Sequence, residues 1–425
     1  MPAPPEHAVA ESHIIARVHA SVLDVDPQAW NALLAQQAHA TPFMRHEYLA
    51  ALETSGSATP RTGWTPRFLT LWDAGALVAA CPLYLKTHSY GEYVFDWAWA
   101  SAYEQHGVPY YPKALVAVPF TPVPGSRLLA RDATARAQLV QAARQWCMEE
   151  DISSLHLLFA ADEDIATCAD QGLMLRHTVQ FHWQNTAPVA PVVSSEAPSE
   201  WLAMPNRFTS FDDFLASLTQ EKRKKIKQER RRVADAGVTF RCLQGKAIST
   251  GDWDFFYRCY ERTYLEHGNP PYLSRAFFAD MARTMPEAWV LFIAERDGQP
   301  IASSLIAISA CPASATGQKD TEIIAYGRYW GALERVDCLH FEACYYQPLQ
   351  WCIEHGVHRF EGGAQGEHKM ARALLPVQTS SAHWLAHPDF ADAVERFLER
   401  EGEGVDAYLQ SLHERTPFRK TQNPA

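Results

Sequence analysis

Two stretches of the chain repeat one pattern: "QWCMEEDISSLHLLF" at residues 145–159 and "QWCIEHGVHRFEGG" at residues 350–363. In each, the end of a helical pattern leads directly into an apolar run that is typical of a buried strand. Farther along, "VQFHWQN" and "SSAHWLAH" follow these stretches in the same order. Trp146 and Trp183 are 37 residues apart, and Trp351 and Trp384 are 33 residues apart. The pattern therefore indicates that a single unit occurs twice.

Two predicted hairpins lie upstream of these stretches and extend the repeat. "RFLTLWDAGALVAACPLYL" and "WVLFIAERDGQPIASSLIAIS" both place a tight turn between two apolar strands, around Gly75 and Gly298. Three matches in the same order indicate an internal duplication. Each half reads as helix, antiparallel strands, loop, helix and strand. This order predicts an α/β (α+β) fold of two tandem domains, with mixed, mostly antiparallel sheets flanked by helices.

The expected domain boundaries follow from composition. The stretch "NTAPVAPVVSSEAPSEWLAMPNRF" is rich in Pro, Ser and Ala and has no periodicity, which is typical of a linker. We therefore expect a mobile tail at 1–12, a first domain at 13–185, a linker at 186–207, a second domain at 208–415 and a tail at 416–425.

Bulk properties favour a soluble cytoplasmic protein. The 425 residues are 47% apolar and 20% charged, with a net charge of −11. We expect neither a membrane span nor a secretory signal, because no long apolar run and no basic leader occur. Nine scattered cysteines without a C-x-x-C pair suit a reducing compartment. No metal site is predicted, because the spacing of Cys338, His340 and Cys344 matches no standard zinc motif.

The segment "RFEGGAQGEHKMARALLP" at residues 359–376 is the strongest candidate site. Its glycines can adopt positive φ and expose backbone amides next to an acid, an imidazole and an amine. We predict that Lys369 neutralises a carboxylate, phosphate or oxyanion, with Glu361 or Glu367 as base and His368 as proton relay. The alternative is a glycine-rich turn before a solvated helix end. The predicted substrate contacts in this segment are Gly362, Gly363, Gln365 and Gly366.

A second candidate precedes the helix of the first half. Gly125, Ser126 and Arg127 could hold a pyrophosphate through close backbone approach, a hydroxyl and a guanidinium. The alternative is a proline-rich turn with an exposed arginine. The second half has no glycine-rich loop at the corresponding position.

Aromatic and polar residues also cluster in "WASAYEQHGVPYYPKAL" at residues 99–115, which suits a sugar, peptide or nucleotide face. In the second half, Glu342 and Tyr345 share one helical face. Aromatic packing and a buried, satisfied acid are the alternatives. The predicted substrate contacts of the first-half loop are Tyr103, Glu104, His106, Tyr110 and Tyr111.

The run "KRKKIKQERRR" at residues 222–232 carries eight cations and one acid in an acidic chain. Such a helix could bind a tRNA acceptor stem, a nucleotide diphosphate or an anionic lipid surface. A solvated helix face is the alternative. Lys222 and Arg223 are the predicted phosphate contacts.

Three longer strings resemble a known family: "FDWAWASAYEQHGVPYYPKALVAVPFTPVPGSRLL", "LASLTQEKRKKIKQERRRV" and "LHFEACYYQPLQWCIEHGVHRFEGGAQGEHKMAR". Together with the tandem halves, they resemble the bacterial Fem-like branch of the GNAT acyltransferase superfamily, described as peptidoglycan biosynthesis/recognition proteins. The resemblance runs from about residue 42 to about residue 401. It implies a functional lysine after the strand of the glycine-rich segment, and Lys369 is the lysine at that place.

The resemblance also implies a reaction. We expect an acyl or aminoacyl group to be transferred to an amine by direct attack, in a cleft between the two domains. The co-substrate would be acyl-CoA or aminoacyl-tRNA, with no tightly bound cofactor. The acceptor would be a small molecule or a peptidoglycan precursor. The alternative is a non-catalytic protein that binds a muropeptide or nucleotide sugar and has a decayed donor site.

Overall fold

The structure, a computed structural model, describes residues 14–186, 207–311, 322–364 and 366–419. The first half alternates helices with mostly short strands. Its strands are β1 (Ile15–His19), β2 (Trp64–Pro66), β3 (Phe68–Asp73), β4 (Ala76–Cys81), β5 (Leu83–Lys86), β6 (Lys113–Val116), β7 (Leu129–Ala130), β8 (Ser154–Ala160) and β9 (Met174–Gln184). Its helices are α1 (Pro27–Leu34), α2 (His46–Thr54), α3 (Trp97–Gln105), α4 (Ala133–Glu149) and α5 (Asp162–Asp170).

The second half follows a similar order with longer strands. Its strands are β10 (Val238–Gln244), β11 (Trp289–Arg296), β12 (Gln299–Cys311), β13 (Glu322–Ala332), β14 (Arg359–Ala364) and β15 (Leu375–Leu385). Its helices are α6 (Phe211–Ser217), α7 (Gln220–Asp235), α8 (Thr250–Glu266), α9 (Arg275–Thr284), α10 (Leu339–Phe341), α11 (Gln347–Glu354) and α12 (Pro388–Glu414). A π-helical turn, Glu342–Tyr346, joins α10 to α11, and a 3-10 helix, Glu367–Arg372, follows β14.

The strands form two sheets. One is a four-stranded antiparallel sheet in the order β1-β3-β4-β7. The other has eleven strands in the order β10-β11-β12-β13-β14-β9-β15-β8-β6-β5-β2. In this large sheet β13 and β14 are parallel, β6 and β8 are parallel, and the other neighbours are antiparallel. The predicted α/β fold with mixed, mostly antiparallel sheets is confirmed.

The halves exchange their last strands at the centre of the large sheet. β9, which ends the first half, pairs with β14 of the second half, whereas β15 pairs with β8 of the first half. β9 and β15 also pair with each other, and there the hydroxyls of Thr178 and Thr379 lie 2.8 Å apart. The central strands are therefore related by an approximate twofold axis near these two threonines, with β14 equivalent to β8 and β9 equivalent to β15.

The local turns follow the sequence pattern. The hairpins β3–β4 and β11–β12 turn through Ala74 and Gly75, and through Asp297 and Gly298, all of which have positive φ. This conformation matches the right-handed twist of paired strands. The predicted linker lies almost wholly outside the described residues, as do the two predicted tails for most of their length. Among the described helices, none is long and apolar enough to cross a membrane.

Candidate functional site

The clearest opening in the large sheet lies where β13 and β14 part. The two strands pair only from Ile324 to Tyr326 and from Arg359 to Glu361, although β13 continues to Ala332. A hollow of about 160 Å³ occupies the gap. We call it the β13–β14 cleft. Its described lining includes Ser304, Gly327, Arg328, Tyr329, Trp330, His340, Cys344, Tyr345, Phe360, Gly362 and Lys369.

Two glycines that line this cleft have no room for a side chain. A Cβ atom on Gly327 would come within 2.9 Å of the Phe360 ring. A Cβ on Gly362 would meet the Leu374 side chain at 2.3 Å and the Phe181 carbonyl at 2.9 Å. Gly362 is thus required by space, whereas Gly363 has the positive φ that the sequence suggested for both.

Lys369 reaches the cleft from the 3-10 helix after β14. Its side chain is only 5% exposed, and its Nζ donates a hydrogen bond to the Gly363 carbonyl at 3.1 Å. Burial lowers the pKa of Lys369 to about 8, because the charged ammonium loses hydration. The group is still mostly protonated at neutral pH and can donate to an oxygen that gains negative charge.

Arg328 is a second cation in the cleft, and sequence reasoning missed it. It lies on β13 and donates to the Phe120 carbonyl at 3.1 Å and to the Tyr329 hydroxyl at 3.2 Å. The described cleft lining contains two side chains that carry a charge at neutral pH, Lys369 and Arg328, and no carboxylate. The cleft therefore suits an anionic or oxyanionic group. The available signal was an arginine within the otherwise apolar and aromatic run "IIAYGRYWGA".

Two imidazoles flank the ammonium. His340 lines the cleft, while His368 lies at the surface with its Nε2 3.3 Å from the Tyr345 hydroxyl. Burial lowers the pKa of His340 to about 4 and also lowers the pKa of His368, with Arg372 adding to the effect. Both rings are therefore neutral at pH 7 and can accept a proton. Tyr345 belongs to the π-helical turn, a feature frequent at functional sites.

The predicted acids do not join Lys369. Glu361 and Gly362 are neighbours on a strand, so they face opposite sides of the sheet. Glu361 lines a different cavity and is not part of the described lining of the cleft. Glu367 lies at the surface, where Arg415 pairs with it at 3.1 Å and Tyr408 donates to it at 3.0 Å. The structure thus separates the predicted lysine from both predicted bases, and Gln365 lies outside the described residues.

The predicted phosphate loop of the first half is part of the interior. Arg127 is buried, and its guanidinium donates to the carbonyls of Leu158, Gly125 and Val123. Ser126 is also buried, 3.5 Å from Glu163. This placement speaks against phosphate contacts for Arg127 and Ser126, because their donors face protein oxygens. Gly125 alone lines a cavity.

The aromatic loop of the first half divides between core and surface. Tyr103 is buried and stacks on Phe390 at 3.9 Å, and the buried Tyr110 donates to Asp96 at 2.6 Å. Tyr111 lies 2.8 Å from the Ser89 hydroxyl. Glu104 and His106 are exposed. The structure therefore does not bring these five residues to the β13–β14 cleft, and packing accounts for the two buried tyrosines.

The basic helix α7 packs beside the cleft. Arg230 pairs with the buried Glu342 at 3.0 Å, and Arg372 pairs with Glu229 at 2.9 Å. These ion pairs join α7 to the π-helical turn and to the 3-10 helix that carries Lys369. Glu342 is therefore an anchor for α7. The partly exposed Lys222 and Arg223 and the exposed Lys224, Lys225 and Lys227 leave a cationic face outward.

Within the described ranges, no group of three or more histidines, cysteines or acids is placed to hold a metal ion.

Comparisons with known proteins agree with this architecture. A family model described as peptidoglycan biosynthesis/recognition, FemAB-like, matches residues 21–190 and 193–420. The chain belongs to this FemAB-like family. No curated protein matches the sequence.

Solved structures are similar to the chain at low identity. FemX is 10% identical, with a TM-score of 0.50 over 87% of this chain and 98% of that one. The C-terminal domain of a putative lysylphosphatidylglycerol synthetase from Agrobacterium fabrum is 10% identical, with a TM-score of 0.49 over 88% and 96%. A tandem GNAT protein from the clavulanic acid biosynthesis pathway is 14% identical, with a TM-score of 0.43 over 88% and 99%. The match to FemX supports the fold alone.

Proposed function

We propose that the chain transfers an acyl or aminoacyl group to an amine in the β13–β14 cleft. The observation that carries the proposal is the parting of the two strands around Lys369 and Arg328. An acyl group has to lie where its carbonyl oxygen meets fixed donors, and this cleft supplies an ammonium and a guanidinium in a partly enclosed space.

The reaction follows from these groups. The lone pair of the acceptor amine forms a bond to the acyl carbon, and the carbonyl electrons move to the oxygen. Lys369 donates to that oxyanion, while Arg328 binds an anionic part of the donor or acceptor. The oxyanion then collapses, and the ester oxygen or thioester sulfur leaves with the bonding electron pair. The amine proton passes to a neutral imidazole, and His368, whose Nε2 lies 3.3 Å from the Tyr345 hydroxyl, is the proposed acceptor.

The position of α7 favours a large anionic donor. Its exposed lysines lie on a helix that is ion-paired to both structural elements behind the cleft. A nucleic acid or a nucleotide carrier of the acyl group could bind there through its phosphates. We therefore propose aminoacyl-tRNA or acyl-CoA as donor and an amine of a peptidoglycan precursor or small molecule as acceptor.

A ligand panel tests this proposal. Thermal unfolding is measured with acetyl-CoA, a long-chain acyl-CoA, an aminoacyl-tRNA and a UDP-linked muropeptide, because a ligand that binds the native state raises the melting temperature. Mass spectrometry then follows acyl transfer from each stabilising donor. Stabilisation by a donor with transfer to an amine supports the proposal. Stabilisation by the muropeptide alone, without transfer from any donor, would identify a binding protein and contradict it.

A further inference from the structure

A second cavity lies on the opposite face of the large sheet, where the two halves meet. Its volume is about 230 Å³, and we call it the junction cavity. Its walls come from both halves and from the exchanged strands. They include His39, Gly125 and Asp162 of the first half, Arg359 and Glu361 on β14, and Thr379 on β15.

Two first-half segments that wall the junction cavity pack closely against each other. Gly125 lies against the segment that carries His39, and Ser126 donates its backbone N–H to the His39 carbonyl at 3.0 Å. A Cβ on Gly125 would come within 2.6 Å of the Thr41 side chain and 2.9 Å of the His39 carbonyl. A glycine at this position therefore lets the two first-half segments approach and wall the cavity.

Glu361 lines this cavity, and one of its two carboxylate oxygens is unsatisfied. The residue is only 4% exposed, and one carboxylate oxygen accepts from Arg359 at 3.0 Å. The other oxygen, Oε2, is buried and accepts no hydrogen bond within the described structure. A buried carboxylate oxygen without a donor is costly, which makes it a site for a donor from outside the chain.

The charges around the cavity favour a cation. Glu361 and Asp162 line it, against the single guanidinium of Arg359. That guanidinium is already shared between Glu361 and Glu322, whose oxygen is 4.0 Å away. His182 also lines the cavity, and burial lowers its pKa to about 3, so its ring is neutral. The remaining walls are partly apolar, through side chains such as Ala40, Pro124, Ile324 and Val377.

We propose that the junction cavity is a second ligand site, which binds a primary ammonium group on a short apolar stem against Glu361. The ammonium would donate to Oε2 of Glu361, and the stem would lie along the apolar wall. The site is separate from the β13–β14 cleft, because Glu361 and Lys369 face opposite sides of the sheet. It does not depend on the proposed transfer reaction.

Calorimetric titration of the full chain with n-butylammonium at pH 8.5 tests the site, since burial raises the pKa of Glu361 to about 7 and the carboxyl is ionised there. We expect saturable binding at millimolar concentration or tighter. Neutral n-butanol, which keeps the stem and loses the charge, should bind at least about tenfold more weakly, because hydrogen bonds to charged groups contribute about 1.5–3 kcal/mol. The absence of saturable binding, or equal binding of n-butanol, would overturn the proposal.

Variants locate the binding. Glu361→Gln keeps the shape and removes the charge, so affinity for n-butylammonium should fall by about tenfold or more. Lys369→Met should bind the amine as the parent does, whether or not the transfer proposal holds. Unchanged affinity in folded Glu361→Gln would refute the site.

Two rim variants keep the test decisive if Glu361→Gln does not fold. Asp162 is exposed, and the His39 side chain is 43% exposed, so neither change should disturb the core. Asp162→Asn should weaken binding a few-fold through lost charge, and His39→Trp should weaken it by narrowing the entrance. Parent-like affinity in both would overturn the assignment.

Discussion

The two halves share one strand arrangement, but the position that is an open cleft in the second half is filled in the first. In the second half, β13 and β14 part and leave a cleft beside Lys369. In the first half, β6 and β8 pair in the same parallel way, but the chain returns at Gly125 to bridge Ala160. Arg127 then fills the remaining space and donates to the Leu158 carbonyl at 3.0 Å. One copy is closed by its own chain, and the other stays open to a ligand.

A matched pair of residues shows how this difference arises. In the sheet, His156 lies opposite His383, and Glu361 lies opposite His182. Asp164 follows His156 by eight residues, and Lys369 follows Glu361 by the same interval. Asp164 is fully buried and accepts the Arg127 backbone N–H at 2.6 Å. We call residues 125–127, which fill this position in the first half, the first-half plug. The acid Asp164 holds the plug by accepting its backbone N–H, whereas Lys369 at the corresponding place faces an open cleft.

The other face of the sheet repeats the contrast. His156 and His383 are buried with their Nδ1 atoms 2.8 Å apart, and Trp99 packs on His383 at 5.0 Å. The corresponding pair, Glu361 and His182, lines the junction cavity. The first half therefore fills both faces with side chains, while the second half leaves both open. In a duplicated fold, one copy can serve stability and release the other for ligands.

The largest effect, a loss of stability, should come from removing the carboxylate that holds the first-half plug. Asp164→Ala removes the partner of Arg136, 3.1 Å away, and the acceptor of the backbone N–H groups of Arg127 and Leu128. We expect the free energy of unfolding to fall by about 3–5 kcal/mol, as when one partner of a buried ion pair is lost. Urea denaturation measures it. The exposed neighbour Asp162→Ala should change stability by less than about 0.5 kcal/mol. If the two variants lose the same free energy of unfolding, the contacts of Asp164 with the plug do not stabilise the fold.

Lys369→Met should have the next largest effect, this time on turnover. A lost oxyanion donor typically lowers the rate by about 10²–10³-fold, and the fold should persist because methionine fills a similar volume. Steady-state kinetics and circular dichroism measure the two properties. Lys246→Met, at an exposed position of the same half, is the matched control. Full activity in Lys369→Met would remove its proposed role.

Arg328→Met should weaken substrate binding more than turnover. The loss of a charged hydrogen bond of about 1.5–3 kcal/mol corresponds to roughly a 10–100-fold rise in KM. The exposed Arg258 on α8 provides the control Arg258→Met. If KM is unchanged in Arg328→Met, the guanidinium serves only the contact with Phe120 across the two halves.

The pH dependence of the rate should follow the protonation state of Lys369. Its pKa is lowered to about 8, so the ammonium loses its proton as the pH rises through that value. At pH 9 roughly one-tenth remains protonated, and the rate should be about tenfold below its plateau near pH 7. Lys369→Arg stays charged and should lose this decline. A decline that persists unchanged in Lys369→Arg would belong to another group.

The smallest effect should come from α7. Replacing Lys222, Arg223, Lys224 and Lys225 with alanine should weaken a polyanionic donor a few-fold at low salt and less at high salt, because counterion release is reduced. Filter binding or fluorescence anisotropy across salt concentrations measures the slope. Replacing Arg396 and Arg400, exposed on α12, removes two charges from another helix and is the control, compared per charge removed. An unchanged salt slope would mean that this face is merely solvated.

Local features of the fold were predictable from the sequence because they depend on neighbouring residues. The hairpin turns at Gly75 and Gly298, the helix-to-strand repeats and the basic helix all follow from short patterns. The strand exchange was not predictable, because nothing local to β9 says that it pairs with β14. The placement of Glu361 and Gly362 on opposite sides of the sheet was readable in principle, since adjacent strand residues face opposite sides.

The candidate site was only partly predictable for the same reason. Lys369 stood out because it is a lysine in a glycine-rich segment. Arg328 contacts the cleft from a strand more than thirty residues earlier, and only the folded sheet brings it near. Arg127 was expected at a surface, but its burial depends on the return of the chain at Gly125. Long-range packing, rather than motif chemistry, decided each of these outcomes.

Hydrogen–deuterium exchange with and without the stabilising acyl donor tests the contrast between the halves most directly. We predict that bound donor slows exchange in 327–330 and 366–374 of the second half, and leaves 117–127 of the first half unchanged. Slowed exchange confined to 117–127, with none around Lys369, would contradict the assignment of the β13–β14 cleft as the site of transfer.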